Sequence, residues 1–176
     1  MKSFVRLISL TLIVIVFAIS AFAQSDLDKA AKKAAVQKCR SLLRETVQEV
    51  ENGNYSIALA LLDSVIICNE DNPDAYYYKG RIHYLQGDTT EAVAFLSKGV
   101  EKAPKSTRLK LLWARIEMDR LNYDVASGLV DSVLAIKPRE SQALYLKGLY
   151  YLSQNDTTMA INVMGNALEY ELSGKK

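Results

Sequence analysis

The sequence predicts an all-α protein in which about four antiparallel helix hairpins stack in one array. Four alanines recur at a constant interval: Ala58, Ala92, Ala126 and Ala160. The same interval separates the residues that stand five positions before them: Gly53, Gly87, Leu121 and Asn155. Each interval contains two apolar-periodic segments of about a dozen residues, split by a turn and closed by a breaker, which indicates a helical hairpin. Since hairpins with a period of about 34 residues bury apolar area only against neighbours, this spacing predicts a stacked array with a binding surface.

The N-terminal residues have the features of a cleavable export signal. Lys2 and Arg6 precede an apolar run over residues 7–19, and the small residues Ala21 and Ala23 stand where a peptidase would cut. The run is shorter than the ~20 apolar residues that a membrane span usually needs, which argues against an uncleaved anchor. We therefore expect a signal peptide over residues 1–23, cleaved after Ala23, and a mature protein in the periplasm or cell envelope of a bacterium.

The charge balance bears on the class of partner. The chain has 22 Lys and Arg against 20 Asp and Glu, and removal of Lys2 and Arg6 leaves 20 of each sign. A neutral mature chain does not indicate a nucleic-acid-binding protein. Basic residues are nevertheless concentrated early in the mature chain: Lys29, Lys32, Lys33, Lys38, Arg40 and Arg44. Two interpretations are open, a solvated helix face and a surface for peripheral association with an anionic membrane.

The second repeat shows the hairpin pattern most fully. Pro73 opens its first helix, and Gly87 with Asp88 makes the turn. Asp88 and Glu91 then form a capping box at the start of the second helix. Ala92 lies on one face of that helix, where a small side chain lets two helix backbones approach closely.

These residues resemble the tetratricopeptide repeat, whose pattern asks for a large apolar residue, a Leu-Gly pair, a Tyr, an Ala in the second helix and a closing Pro. The residues that fit in the second unit are Tyr76, Gly80, Gly87, Asp88, Glu91, Ala92 and Pro104. The resemblance covers four units: residues 39–72, 73–106, 107–140 and 141–172. It is weakest in the first unit, where Glu45 and Thr46 replace Leu-Gly. It implies a right-handed superhelical solenoid. The first helix is expected to be long, because residues 27–52 contain no Gly or Pro, and this predicts a helical extension over residues 24–38 ahead of the repeats. Residues 173–176 are expected to form a tail.

The resemblance also implies a binding groove, because in this family the first helix of each repeat lines the concave side. The residues expected in the groove are Tyr77, Arg81, Tyr84, Arg108, Arg115 and Tyr145. Tyrosine and arginine often anchor protein interfaces. The arginines suggest an acidic or carboxylate-bearing peptide, whereas the alternative interpretation is a solvated face with packing tyrosines. We therefore expect a non-enzymatic scaffold or adaptor that binds a protein or peptide.

The last helix suggests an alternative function. No further helix is predicted after Leu172, so Ile161, Leu168 and Tyr170 are expected to remain partly exposed. A second copy of the chain that covered them would give a homodimer or a self-assembling structural protein of the envelope.

No pattern of catalytic or metal-ligating residues is found. His83 is the sole histidine and falls at a packing position of its helix. The sequence contains no phosphate-binding Gly-rich loop, no HExxH and no GxSxG. One histidine and no CxxC argue against a structural zinc site. We therefore expect no enzymatic activity, no cofactor and no metal.

The two cysteines leave two interpretations open. Cys39 and Cys68 would lie at the same end of the first helix pair, in a chain exported to an oxidising compartment. They are interpreted either as a disulfide or as two buried thiols that act as small hydrophobic residues.

Overall fold

The computed structural model describes the backbone of residues 2–173 and the side chains of residues 26–173. Its helices are α1 (Lys2–Glu51), α2 (Tyr55–Cys68), α3 (Pro73–Leu85), α4 (Thr89–Lys102), α5 (Thr107–Asp119), α6 (Tyr123–Leu134), α7 (Ser141–Ser153) and α8 (Thr157–Ser173). No strand occurs within these residues, so the predicted all-α class is confirmed. The chain divides into two compact units, Met1–Ser41 and Leu42–Lys176.

The first compact unit contains the N-terminal part of α1. The predicted signal peptide, residues 1–23, lies outside the residues whose side chains are described, and its cleavage stays a prediction. Every side chain from Asp26 to Lys38 is exposed. Within the described part of the chain, no helix combines the length and the apolar character required to cross a membrane.

The second compact unit has its core in three apolar clusters that follow one another along the chain. The first joins the end of α1 to α2 and α3 around Leu62 and Ile82. The second joins α3, α4 and α5 around Leu96 and Ile116, and the third joins α5, α6 and α7 around Val130. From α2 onward each helix packs against the next, and α5 also contacts both α3 and α7. The first helices of successive repeats therefore lie side by side.

The four turns inside the hairpins place a left-handed residue at equivalent positions. The φ angle is 78° at Gly53, 84° at Gly87, 62° at Leu121 and 61° at Asn155. Glycine reaches this region at no steric cost, and asparagine tolerates it better than most residues, but leucine does not. The repeat period thus determines the backbone conformation of the turn even where the residue is unsuited to it.

Small residues permit the close helix contacts predicted from the sequence. The four repeated alanines are buried, with at most 1% of their surface exposed. A Cβ atom at Gly99 would stand 2.6 Å from the Tyr76 Cβ atom, and one at Gly80 would stand 2.6 Å from the Leu96 Cγ atom. Bulk at these positions would force the paired helices apart.

The turn chemistry repeats in every second unit. Asp88 accepts a hydrogen bond from the Glu91 backbone N–H at 3.1 Å, and Asp156 caps its own helix in the same way. In the other two turns an asparagine amide donates instead to a glutamate carboxylate five residues earlier, over 2.7 Å in each: Asn54 to Glu49 and Asn122 to Glu117. The units therefore alternate between two ways of closing the hairpin.

The two cysteines differ in their burial. Cys39 is buried, whereas Cys68 is the last residue of α2 and is exposed. The disulfide interpretation of the sequence stays a prediction. Cys68 does not fit the interpretation as two buried thiols, because it stands where its helix ends and its surface remains open to solvent.

Candidate functional site

A groove lies between α3, α5 and the connection from α6 to α7. Helices α3 and α5 pack side by side and form its floor and one wall, and the α6–α7 connection bounds it on another side. The groove has a volume of about 630 Å³. It is lined by Tyr77, Arg81, Tyr84, Thr107, Arg108, Leu111, Leu112, Arg115, Lys137, Glu140 and Gln142. Four of these side chains are cationic and one is acidic, so the groove is electropositive.

Five of the six residues expected in the groove line it together: Tyr77, Arg81, Tyr84, Arg108 and Arg115. The sixth, Tyr145, is 46% exposed on α7 and is not among the described residues that line this groove. Tyr145 occupies the position equivalent to Tyr77 two units later, so the repeat places it farther along the array. Whether any of these residues contacts a partner stays a prediction.

Two charged lining residues were missed by the sequence analysis. Lys137 and Glu140 belong to the connection between α6 and α7, and the Lys137 Nζ atom lies 3.4 Å from the Glu140 Oε2 atom. The argument from helix faces does not extend to a connection, because the chain there has no helical period. Pro138 lies in this segment at a position where the repeat pattern asks for a closing Pro, but that pattern does not indicate that the segment closes a groove.

Arg108 is fixed by three neighbouring side chains. Its Nη1 atom donates to Asp74 Oδ1 at 2.8 Å, and its Nη2 atom donates to the Tyr78 hydroxyl at 3.2 Å. Its guanidinium carbon lies 3.8 Å from the centroid of the Tyr77 ring. Burial is the largest single influence on the pKa of Arg108 and lowers it, but the hydrogen bonds and electrostatic interactions with Tyr78 and Tyr77 together outweigh burial, so the pKa is raised. The guanidinium is thus charged and held in one orientation against the Tyr77 ring.

Tyr84 is oriented by a carboxylate. Its hydroxyl donates a hydrogen bond to Asp119 Oδ2 at the end of α5. This hydrogen bond raises the pKa of Tyr84, burial raises it further, and the nearby Arg115 guanidinium lowers it. Tyr84 therefore stays a neutral phenol at physiological pH, and its ring stands at the edge of the groove beside Arg115.

Arg81 and Arg115 differ from the other cations of the groove. Among the ion pairs of the described residues, Lys137 is paired with Glu140 and Arg108 with Asp74, and none includes Arg81 or Arg115. Arg81 and Arg115 are one repeat interval apart in the sequence. They therefore face the groove from equivalent positions of α3 and α5.

Two segments, residues 48–107 and 111–167, match the family described as tetratricopeptide repeat. The chain belongs to the tetratricopeptide repeat family. The resemblance read from the repeat pattern is confirmed. No curated protein matches the sequence.

Solved structures of other proteins share the fold of this tetratricopeptide repeat protein. MamA from Desulfovibrio magneticus RS-1 is 21% identical, with a TM-score of 0.65 over 76% of this chain and 75% of that one. PilF of Pseudomonas aeruginosa is 13% identical, with a TM-score of 0.72 over 78% of this chain and 63% of that one. A thermophilic TPR protein of Thermus thermophilus is 20% identical, with a TM-score of 0.64 over 76% and 74%. These similarities confirm the helical solenoid.

A buried carboxylate of the tetratricopeptide repeat array has a structural role away from the groove. Glu117 is 4% exposed and accepts hydrogen bonds from Trp113 Nε1 at 3.0 Å, Arg120 Nη1 at 3.2 Å and Asn122 Nδ2 at 2.7 Å. A buried charge is tolerated only with such partners. The three donors join α5 to the start of α6.

The remaining titratable candidate, His83, packs within the tetratricopeptide repeat array. Its ring stacks on Phe95 with a centroid distance of 5.2 Å, and its Nδ1 atom is 4.0 Å from Asp88 Oδ2. Within the described residues, no group of three or more His, Cys, Asp or Glu side chains is arranged to hold a metal. The absence of enzymatic activity stays a prediction.

Proposed function

We propose that this protein is a non-enzymatic scaffold that holds a segment of another protein in the groove between α3, α5 and the α6–α7 connection. The tetratricopeptide repeat fold is a protein–protein interaction scaffold. The observation that supports this groove as the site is its combination of a fixed Tyr77–Arg108 pair with an apolar floor of Leu111 and Leu112. The groove volume of about 630 Å³ lies in the range of pockets that bind a small ligand or several side chains of a peptide.

The side chains of the groove suit recognition of a peptide. The Tyr77 ring offers a large contact area to a partner. The side chain loses little rotational freedom on binding, because the Arg108 guanidinium already stacks on the ring at 3.8 Å. Leu112 is half-buried and offers an apolar contact next to charged donors. An orientation that exists before binding lowers the entropic cost of binding.

Selection from a displayed random peptide library tests this proposal. The immobilised mature chain is expected to enrich peptides, and Tyr77→Ala is expected to lose them. Tyr145→Ala is the matched control, since Tyr145 is an exposed tyrosine at the equivalent helix position but outside the groove. Far-ultraviolet circular dichroism melts establish that both variants fold. Equal losses in the two variants, or unchanged binding by Tyr77→Ala, would remove the groove as the site.

We also propose that the chain is exported to the bacterial envelope. This is supported by the sequence alone, through Lys2, Arg6, the apolar run over residues 7–19 and the small residues at Ala21 and Ala23. Intact mass of the native protein is expected to correspond to a chain that begins at Gln24. A mass that includes residues 1–23, or recovery from the cytoplasm, would overturn this proposal.

An alternative function as a self-assembling structural protein is favoured by the last helix. On α8, Ile161 is 71% exposed, Leu168 is 60% exposed and Leu172 is 59% exposed. Covering them with a second copy would remove apolar surface from water. Sedimentation equilibrium is expected to give a dimer that dissociates in the double variant Ile161→Lys, Leu168→Lys. A monomer at tens of micromolar would exclude this alternative.

The exposed segment of α1 supports a peripheral contact with an anionic membrane surface. Lys29, Lys32 and Lys33 are exposed on one side of the helix, and Leu27 is 64% exposed on the other. Co-sedimentation with vesicles that contain phosphatidylglycerol is expected to exceed that with neutral phosphatidylcholine, and to fall as salt is added. Equal binding to both vesicles would contradict this contact.

A further inference from the structure

The positive charge of the groove is only partly neutralised by the protein itself. Arg108 is paired with Asp74 at 2.8 Å, and Lys137 is paired with Glu140 at 3.4 Å. Arg81 and Arg115 also line the groove and take part in no ion pair among the described residues. Glu117 and Asp119 are the first two acidic residues after Arg115 in the sequence. The Asp119 carboxylate already accepts a hydrogen bond from the Tyr84 hydroxyl.

Arg81 and Arg115 lie in one groove because of the repeat. They are one repeat interval apart, on first helices that pack side by side. Two like charges that face the same space repel each other, and an anion between them converts this repulsion into attraction. A guanidinium presents a planar fork of donors that matches a carboxylate in a bidentate arrangement.

We infer that Arg81 and Arg115 form an oxyanion-binding pair and that the groove takes a peptide segment whose carboxylates lie between them. This inference rests on the proposed function, because it names the chemistry of the partner in the same groove. Arg108 does not bind the partner in this arrangement. Its donors are used by Asp74 and Tyr78, so it is a positioning residue that holds the Tyr77 ring.

The surroundings of the pair favour a peptide over a free inorganic anion. Leu111 and Leu112 line the same groove, and Tyr77 adds an aromatic face. An inorganic anion would leave these apolar surfaces in water, whereas a peptide covers them with its own side chains while its carboxylates meet the guanidiniums. The segment expected is therefore acidic and carries an apolar or aromatic residue close to its carboxylates.

The displayed random peptide library used for the proposed function also tests this inference. The wild-type chain is expected to enrich peptides rich in Asp and Glu. The most enriched sequence is then synthesised with a fluorescent label and titrated by anisotropy. Arg81→Gln and Arg115→Gln are each expected to weaken its binding by about tenfold or more, as loss of a charged bidentate contact does. Arg81→Lys is expected to recover only part of the loss, since an ammonium lacks the planar fork.

A matched control separates specific recognition from net charge. Arg139→Gln removes the same charge from a residue outside the groove, whose guanidinium lies 5.3 Å from the Tyr170 ring, and is expected to change binding less than twofold. An equal loss in Arg139→Gln, or unchanged binding in folded Arg81→Gln and Arg115→Gln, overturns the inference. Enriched peptides without acidic residues also overturn it while the proposed function stands. Failure to enrich any peptide removes the proposed function itself.

Discussion

Arg108 and Asp74 occupy the same position in successive repeats, and the Arg108 Nη1 atom lies 2.8 Å from the Asp74 Oδ1 atom. The ion pair thus joins α5 to α3 at the edge of the groove. Both side chains are more than 40% exposed, so solvent weakens their attraction. The stacking of the guanidinium on the Tyr77 ring adds to this link and gives Arg108 a single orientation.

Arg108→Gln is expected to destabilise the protein by about 1 kcal/mol, the sum of a modest exposed ion pair and a cation–π contact. Urea unfolding followed by circular dichroism measures this change. A double-mutant cycle with Asp74→Asn is expected to give a coupling of about 0.5 kcal/mol, because only the ion pair is shared. If the free-energy changes of the two substitutions are strictly additive, the ion pair contributes nothing to stability.

Leu121→Gly is expected to stabilise the protein by about 1 kcal/mol. Leu121 has a φ of 62°, which costs a leucine energy that glycine does not incur, and its side chain is 68% exposed and loses little burial on removal. The midpoint temperature of thermal unfolding is expected to rise by a few degrees. Gly87→Ala, at the equivalent turn with a φ of 84°, is the reverse control and is expected to destabilise. A loss of stability in Leu121→Gly would contradict this account of the turn.

The comparison of these two turns shows what the sequence could and could not predict. Gly87 and Ala92 indicate a turn and a close helix contact by their own chemistry. Leu121 does not, and its left-handed conformation could be inferred only from the period. Helix pairs, turns and small-residue contacts depend on neighbours in sequence, which is why a constant interval predicts them well.

The groove was predicted only in part, because its composition depends on tertiary packing. The family resemblance placed Arg81 and Arg115 on first helices that line the concave side, and both line the groove. The resemblance also included Tyr145, since it cannot tell how far along the array a single groove extends. It also could not show that Arg108 is engaged by Asp74, which depends on the rotamers of two side chains in different repeats.

Glu117→Gln is expected to destabilise the protein by about 2 kcal/mol, since a buried group that accepts from three donors would lose its charge and part of its acceptor capacity. Trp113, the only tryptophan, donates to Glu117, so its fluorescence emission reports the change during urea unfolding. Glu49→Gln is the matched control, because Glu49 makes the equivalent contact to Asn54 in a more exposed place. Its expected cost is below about 1 kcal/mol. Equal costs in both variants would contradict the role of burial.

The Tyr84 hydroxyl is expected to ionise above the ordinary pKa of 10.0, because its hydrogen bond to Asp119 favours the neutral phenol. A pKa raised in the folded state means that the folded protein binds this proton more tightly than the unfolded chain does. The resulting stability is therefore present below pH 10.0 and is lost as the pH rises through the folded-state value. Tyrosine carbon-13 chemical shifts of the native protein measure the titration. Asp119→Asn is expected to move the Tyr84 pKa back toward 10.0, and an unchanged titration would contradict the hydrogen bond as the cause.

Gly99→Ala is expected to destabilise the protein by about 2 kcal/mol, the typical cost of overpacking a core, although alanine favours helices. A Cβ atom there would stand 2.6 Å from the Tyr76 Cβ atom and 3.1 Å from two Leu109 methyl carbons. The first of these neighbours is fixed to its backbone, so α4 must move away from α3 and disturb their shared contact with α5. Gly128→Ala is the matched control, since that glycine lies in α6 with no atom of another helix within 4 Å of the new methyl group. It is expected to stabilise by up to about 1 kcal/mol through helix propensity alone. Thermal and urea unfolding of the two variants measure both changes, and a gain of stability in Gly99→Ala would show that the hairpin contact is looser than the packing of Tyr76 implies.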